Sequence, residues 1–69
     1  MSPIVVFANG QARQVPQGTT LGELVASFGF PESSVLVELN GEIPPRTQWA
    51  THRLEHGDRI ELFRVVAGG

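Results

Sequence analysis

Residues Ile4 to Ala8 form an unbroken apolar run of β-branched, aromatic and small side chains, and Asn9-Gly10 follows at once. Such a run reads as a strand, and Asn-Gly tolerates the positive φ of a tight hairpin turn. A second strand through Val15 is predicted to pair antiparallel with the first. Further on, the stretch TLGE opens a helix. Thr20 can accept the backbone N–H of Glu23 while the Glu23 carboxylate reaches back to the Thr20 N–H, which makes a capping box. Leu21, Leu24, Val25 and Phe28 then recur at i, i+3, i+4 and i+7. That spacing puts one apolar stripe on a two-turn helix, and Gly29 with Phe30-Pro31 supplies the stop.

The segment Val35 to Leu39 alternates around Glu38 and runs into a second Asn-Gly pair, Asn40-Gly41. Ile43 is predicted to form a short strand that Pro44-Pro45 ends, because proline cannot donate to a ladder. After an irregular or briefly helical stretch, Gly57-Asp58 turns the chain into a last strand, Arg59 to Val66. The order of hairpin, helix, strand, short strand and strand defines an α+β domain. A mixed sheet of about five strands carries one main helix on one face, the arrangement of the β-grasp fold of ubiquitin. Side chains on a strand alternate between faces. If Ile60 and Leu62 meet the helix, Phe63 and Val65 lie on the open face, where apolar side chains mark a partner surface.

Composition narrows what such a domain can do. A chain of 69 residues makes one domain, 1–69, and at this size roughly 60% of the unfolded surface is buried on folding, enough for one small core. Hydrophobic residues at 41% and charged residues at 17% describe a folded module rather than a disordered segment. No apolar run approaches the ~20 residues of a membrane span, and the start lacks the pattern of a secretory signal. A cytoplasmic location is expected, with no membrane partner. The net charge is −2 and the five basic residues, all arginine, are scattered, so no nucleic acid partner is expected. With no cysteine, the chain offers no disulfide, thiolate ligand or thiol nucleophile.

The sharpest enzyme-like motif is HRLEH, His52 to His56, which matches a zinc-peptidase pattern. That chemistry needs both histidines a turn apart on a stable helix, together with a third ligand. Here Gly57-Asp58 follows immediately and no third ligand is marked, so the segment reads as a solvated connection and no metal site is assigned. Trp49 reads as a plug at the edge of the core. Asp58 reads as a turn residue. Glu38, Glu42 and Glu61 read as solvated strand-face charges. The chain contains no catalytic set of its own.

What remains is the ending RVVAGG, Arg64 to Gly69. A terminal diglycine is often only a frayed end. Here the last strand runs almost to the terminus, so Gly68 and Gly69 are expected to project as a short flexible lead from a rigid element. Without side chains, such a lead can enter a narrow active site in another protein. The reactive group is then the Gly69 carboxylate. An ATP-using partner can activate it as an acyl-adenylate, and sulfur delivered to that carbonyl gives a thiocarboxylate.

The element order, with Asn40-Gly41, Pro45-Arg46, Trp49, Leu54, Gly57-Asp58, Ile60-Glu61 and Gly68-Gly69, resembles the ThiS-type sulfur carriers of thiamine biosynthesis across nearly the whole chain. The resemblance implies a protein that is not an enzyme and binds no cofactor, with ATP used by a ThiF-type, E1-like adenylating enzyme. It implies attachment at Gly69, a tail that includes Gly68 and Ala67, and a docking surface of Phe63 and Val65 with Arg64 and Val66 beside them. A ThiG-type thiazole synthase would then take the sulfur, which is supplied by a donor protein or sulfide. The related molybdopterin synthase small subunits usually carry Pro-Pro where this chain has Phe63-Arg64-Val65-Val66, and Ala67 stands where many relatives have a third glycine. Carriers of this type also serve cysteine synthesis and secondary metabolites, and a ubiquitin-like modifier or a plain interaction module shares the pattern. These alternatives stay open on sequence alone.

Overall fold

The computed structural model describes residues 2–65. Strand β1 (Ile4–Ala8) and strand β2 (Gln11–Val15) make the expected hairpin, in register from Ile4 opposite Val15 to Ala8 opposite Gln11. Asn9 and Gly10 have φ of 51° and 81°, the doubly positive turn whose twist suits a two-residue hairpin. Helix α1 (Leu21–Ala26) follows, then a 3₁₀ turn (Glu32–Ser34), strand β3 (Val35–Leu39), a second 3₁₀ turn (Arg46–Gln48) and strand β4 (Arg59–Arg64). The sheet order is β2-β1-β4-β3. β4 runs parallel to β1 and antiparallel to β3.

The described residues hold four strands rather than about five. After Asn40-Gly41, a single bridge joins Leu39 to Glu42, with Leu39 N–H donating to Glu42 C=O at 2.7 Å and Glu42 N–H to Leu39 C=O at 3.0 Å. Ile43 is exposed, and Pro44-Pro45 then removes two consecutive backbone donors, so the ladder stops. β4 ends at Arg64 instead of Val66, although Val65 N–H still donates to Ser34 C=O at 2.7 Å. Val66, like the rest of the tail, lies outside the described residues.

The capping box is present in full. Thr20 Oγ1 accepts Glu23 N–H at 3.1 Å, and Glu23 Oε1 accepts Thr20 N–H at 2.9 Å. The helix has six residues, a little short of the two turns expected, and closes at Ser27, whose hydroxyl donates to Leu24 C=O at 2.6 Å. Leu21, Leu24 and Val25 are buried as the spacing requires. Phe28 falls beyond the helix end and is half-buried, with the Arg13 guanidinium 4.3 Å from its ring centre.

The core lies between α1 and one face of the sheet, and the segment 49–54 closes its end. Trp49 and Leu54 are buried there, and Trp49 Nε1–H donates to Pro44 C=O at 3.2 Å. Two free N–H groups at the start of the helix are satisfied by this segment: Leu21 N–H by His52 C=O at 2.8 Å and Gly22 N–H by Trp49 C=O at 2.9 Å. Gly22 costs helix propensity, about 1 kcal/mol against alanine. A Cβ at that position would lie 3.2 Å from the Trp49 carbonyl oxygen, so the close backbone approach explains the glycine.

Candidate functional site: the open face of the sheet

The helix covers one face of the sheet, and the other carries apolar side chains in the open. Alternation along β4 puts Ile60 and Leu62 toward the helix and Glu61 and Phe63 away from it. Ile60 is 1% exposed and Phe63 is 44% exposed. Val65, just past the strand, is 59% exposed. The expected positions of Phe63 and Val65 on the open face therefore stand.

Register brings in residues that a local reading of the sequence missed. Leu36 lies directly opposite Phe63, and both are exposed, so they form a cross-strand apolar pair at the end of β4 nearest the tail. The signal was available in the VLVEL alternation of β3, where Val35, Val37 and Leu39 are buried and Leu36 shares the opposite face with Glu38. Phe7 is also exposed and sits opposite Arg59 at the other end of the face. The all-apolar IVVFA of β1 gave no period from which to place it. Between the two ends Glu38 faces Glu61, and these two carboxylates, with Asn40, Gly41 and Arg59, line a shallow depression of about 370 Å³. The open face is thus apolar where the tail departs and charged in the middle.

The other expected docking residues divide. Arg64 faces the helix side, where its guanidinium lies 4.5 Å from the centre of the Phe30 ring. Its side chain therefore points away from the patch formed by Leu36, Phe63 and Val65. Val66, Ala67, Gly68 and Gly69 lie outside the described residues.

Two asparagines hold β4 in place from its two sides. Asn40, at φ 52°, accepts Arg59 N–H on Oδ1 at 2.9 Å and donates from Nδ2 to Asp58 Oδ1 at 3.0 Å. The second Asp58 oxygen accepts Glu55 N–H at 2.8 Å, so Asp58 is the turn residue its position beside Gly57 predicts. On the other side, Asn9 Oδ1 accepts Leu62 N–H at 2.9 Å. Neither side-chain role follows from the turn signal alone.

The HRLEH segment is not helical, so its histidines are not stacked one turn apart. His56 Nδ1 instead accepts Val5 N–H at 3.0 Å, and the His52 carbonyl holds the helix start. Among the described residues, no group of three or more histidines, cysteines or carboxylates could hold a metal ion. Likewise, no described helix is long and apolar enough to cross a membrane.

Comparison with known proteins agrees with this geometry. The chain resembles the sulfur carrier protein ThiS of Escherichia coli (strain K12), at 39% identity over 64 residues that cover 93% of this chain and 97% of that protein. It also resembles a thiazole synthase of Paramagnetospirillum magneticum, at 31% identity over 61 residues, which span 88% of this chain but only 19% of the synthase. The fold is similar to the crystal structure of the thiamine biosynthesis protein (ThiS) from Geobacter metallireducens, with a TM-score of 0.78 and 26% identity, covering 96% of this chain and all of that one. The ThiS family model matches residues 5–69, which is nearly the full length, and the chain belongs to the ThiS family.

Proposed function

We propose that this protein carries sulfur for thiamine biosynthesis as a thiocarboxylate on Gly69. The observation that carries the reading is the family match itself, which runs through the diglycine at 68–69. In this role the chain is a co-substrate and not a catalyst. A ThiF-type adenylating enzyme supplies the activation. A Gly69 carboxylate oxygen attacks the α-phosphorus of ATP, pyrophosphate leaves, and the carboxylate becomes an acyl-adenylate. Hydrosulfide then adds to the carbonyl carbon, and the C–O bond to AMP breaks with its electron pair leaving on AMP. The product is the thiocarboxylate, with one proton released.

The residue types suit each step. Glycine has no Cβ, so Gly68 and Gly69 fit a channel too narrow for other residues. No cysteine competes for the activated carbonyl. The Leu36, Phe63 and Val65 surface docks the enzyme, since exposed apolar area next to a reactive end serves contact with another protein. A thiazole synthase then accepts the sulfur. The synthase that contains a segment similar to this chain supports that pairing. The work is cytoplasmic, where ATP and both enzymes are available.

The test is the intact mass of the protein after incubation with a ThiF-type enzyme, MgATP and sulfide. The expected result is a gain equal to one oxygen-to-sulfur exchange, absent when Gly69 is deleted. The last described sheet hydrogen bond is made by Val65 N–H, so the deletion is expected to melt with the parent. No gain from an enzyme that modifies a control carrier overturns the reading.

A further inference from the structure

β4 is an inner strand for only part of its length. On one side it is paired to its end. Asn40 N–H donates to Arg59 C=O at 2.8 Å and Val65 N–H to Ser34 C=O at 2.7 Å, and between them the register runs from Leu39 opposite Ile60 to Val35 opposite Arg64. Backbone groups on a strand alternate in direction, so residues 60, 62 and 64 aim theirs toward β1. The parallel register with β1 stops at Ala8 opposite Ile60. Asn9 extends it by two bonds: its N–H donates to Ile60 C=O at 2.9 Å, and its Oδ1 accepts Leu62 N–H at 2.9 Å. The chain then turns away into β2. Past that point the C=O of Leu62 and the N–H and C=O of Arg64 face a side along which no strand lies among the described residues.

We propose that this overhang of β4 receives an extended segment of the adenylating enzyme as an added strand. The inference rests on the carrier reading. Four residues, 66–69, separate Val65 from the Gly69 carboxylate, and four residues span at most about 14 Å. An enzyme that holds the carboxylate at its reaction centre therefore has its entrance against residues 62–65. Three main-chain groups in a row are a template for strand addition. The Arg64 side chain, drawn toward Phe30, leaves its own backbone clear. Phe63 stands beside the overhang on the open face, where an added strand sets alternate side chains, and Leu36 continues that apolar surface one strand further on, across β4.

Arg64→Pro tests the edge, with Arg64→Ala as the side-chain control. Proline removes the outward N–H and is tolerated where that side of a strand is free. Because Arg64 N–H points away from β3, no bond of the sheet is lost. A backbone ester at the 63–64 linkage, made by chemical synthesis, removes the same N–H with the arginine intact and covers the case of a proline variant that fails to fold. Affinity for the ThiF-type enzyme is measured by calorimetry and thiocarboxylate formation by mass. The expected result is that Arg64→Pro and the ester bind roughly ten- to a hundredfold more weakly than Arg64→Ala and the parent, respectively. Equal affinities, with the parent converted normally, overturn the added strand and leave the carrier reading intact. A parent chain that neither binds nor is converted overturns both.

Discussion

The two faces of β4 use the same kind of side chain for opposite ends. On the helix side Ile60 and Leu62 pack with Val37 and Leu39 of β3, Val6 of β1 and the stripe of α1. On the open side Phe63 pairs with Leu36, and both are exposed. The first set removes apolar area from water when the chain folds, at about 25 cal/mol per Å², and so drives folding. The second set leaves much of its area in solvent, and one cross-strand pair adds only about 0.2–1 kcal/mol. Folding therefore accounts for the apolar residues on one face and not on the other. The face that folding leaves unexplained is the one that carries Phe63 and Leu36.

That contrast can be broken most severely from inside. Ile60→Ala empties a site that is 1% exposed in the middle of the core. The expected loss is about 2–5 kcal/mol, a large part of what a domain of this size has. Chemical denaturation monitored by Trp49 fluorescence measures it, and a loss below about 1 kcal/mol would move the core away from β4.

Much of this contrast was legible along the chain, and its limits have a physical cause. The hairpin, the capping box and the sharing of one face by Ile60 and Leu62 depend on neighbours within a few residues, so local pattern sufficed; which face meets the helix is set by the packing of α1 on the sheet. The pairing of Leu36 with Phe63 depends on the β3–β4 register, across a separation that local periodicity cannot see. The same holds for Gly22 against Trp49, and for Asn9 reaching Leu62. The missing fifth strand has a different origin. The two Asn-Gly turns have nearly the same φ values, yet one begins a five-residue ladder and the other a single bridge, because Gln11–Val15 follows the first and Pro44-Pro45 comes soon after the second. A turn signal brings the chain back, but only a partner with free N–H groups can continue the sheet.

A smaller effect is expected where β4 leaves β1. Asn9→Gly keeps the positive φ and removes only the Oδ1 that accepts Leu62 N–H. The expected loss is about 1 kcal/mol, the net value of one hydrogen bond in a partly solvated place. Hydrogen exchange should show faster loss of protection at the Leu62 amide than at Ile60. Unchanged protection at Leu62 would mean that the asparagine does not terminate the β1 ladder.

The smallest effect on folding is expected at Phe63, and it is the most informative for function. Phe63→Thr puts a β-branched residue of good strand propensity in place of the aromatic and loses the cross-strand pairing with Leu36, so stability should fall by no more than about 0.5–1 kcal/mol. Binding to the adenylating enzyme should fall by about 2 kcal/mol or more, because a buried aromatic anchor near the centre of an interface has that weight. Calorimetric titration beside a denaturation curve separates the two quantities. Stability lost without affinity would make Phe63 an ordinary member of the sheet and move docking toward Phe7 and Arg59. Affinity lost without stability would assign the two faces of one strand to folding and to recognition, residue by alternate residue.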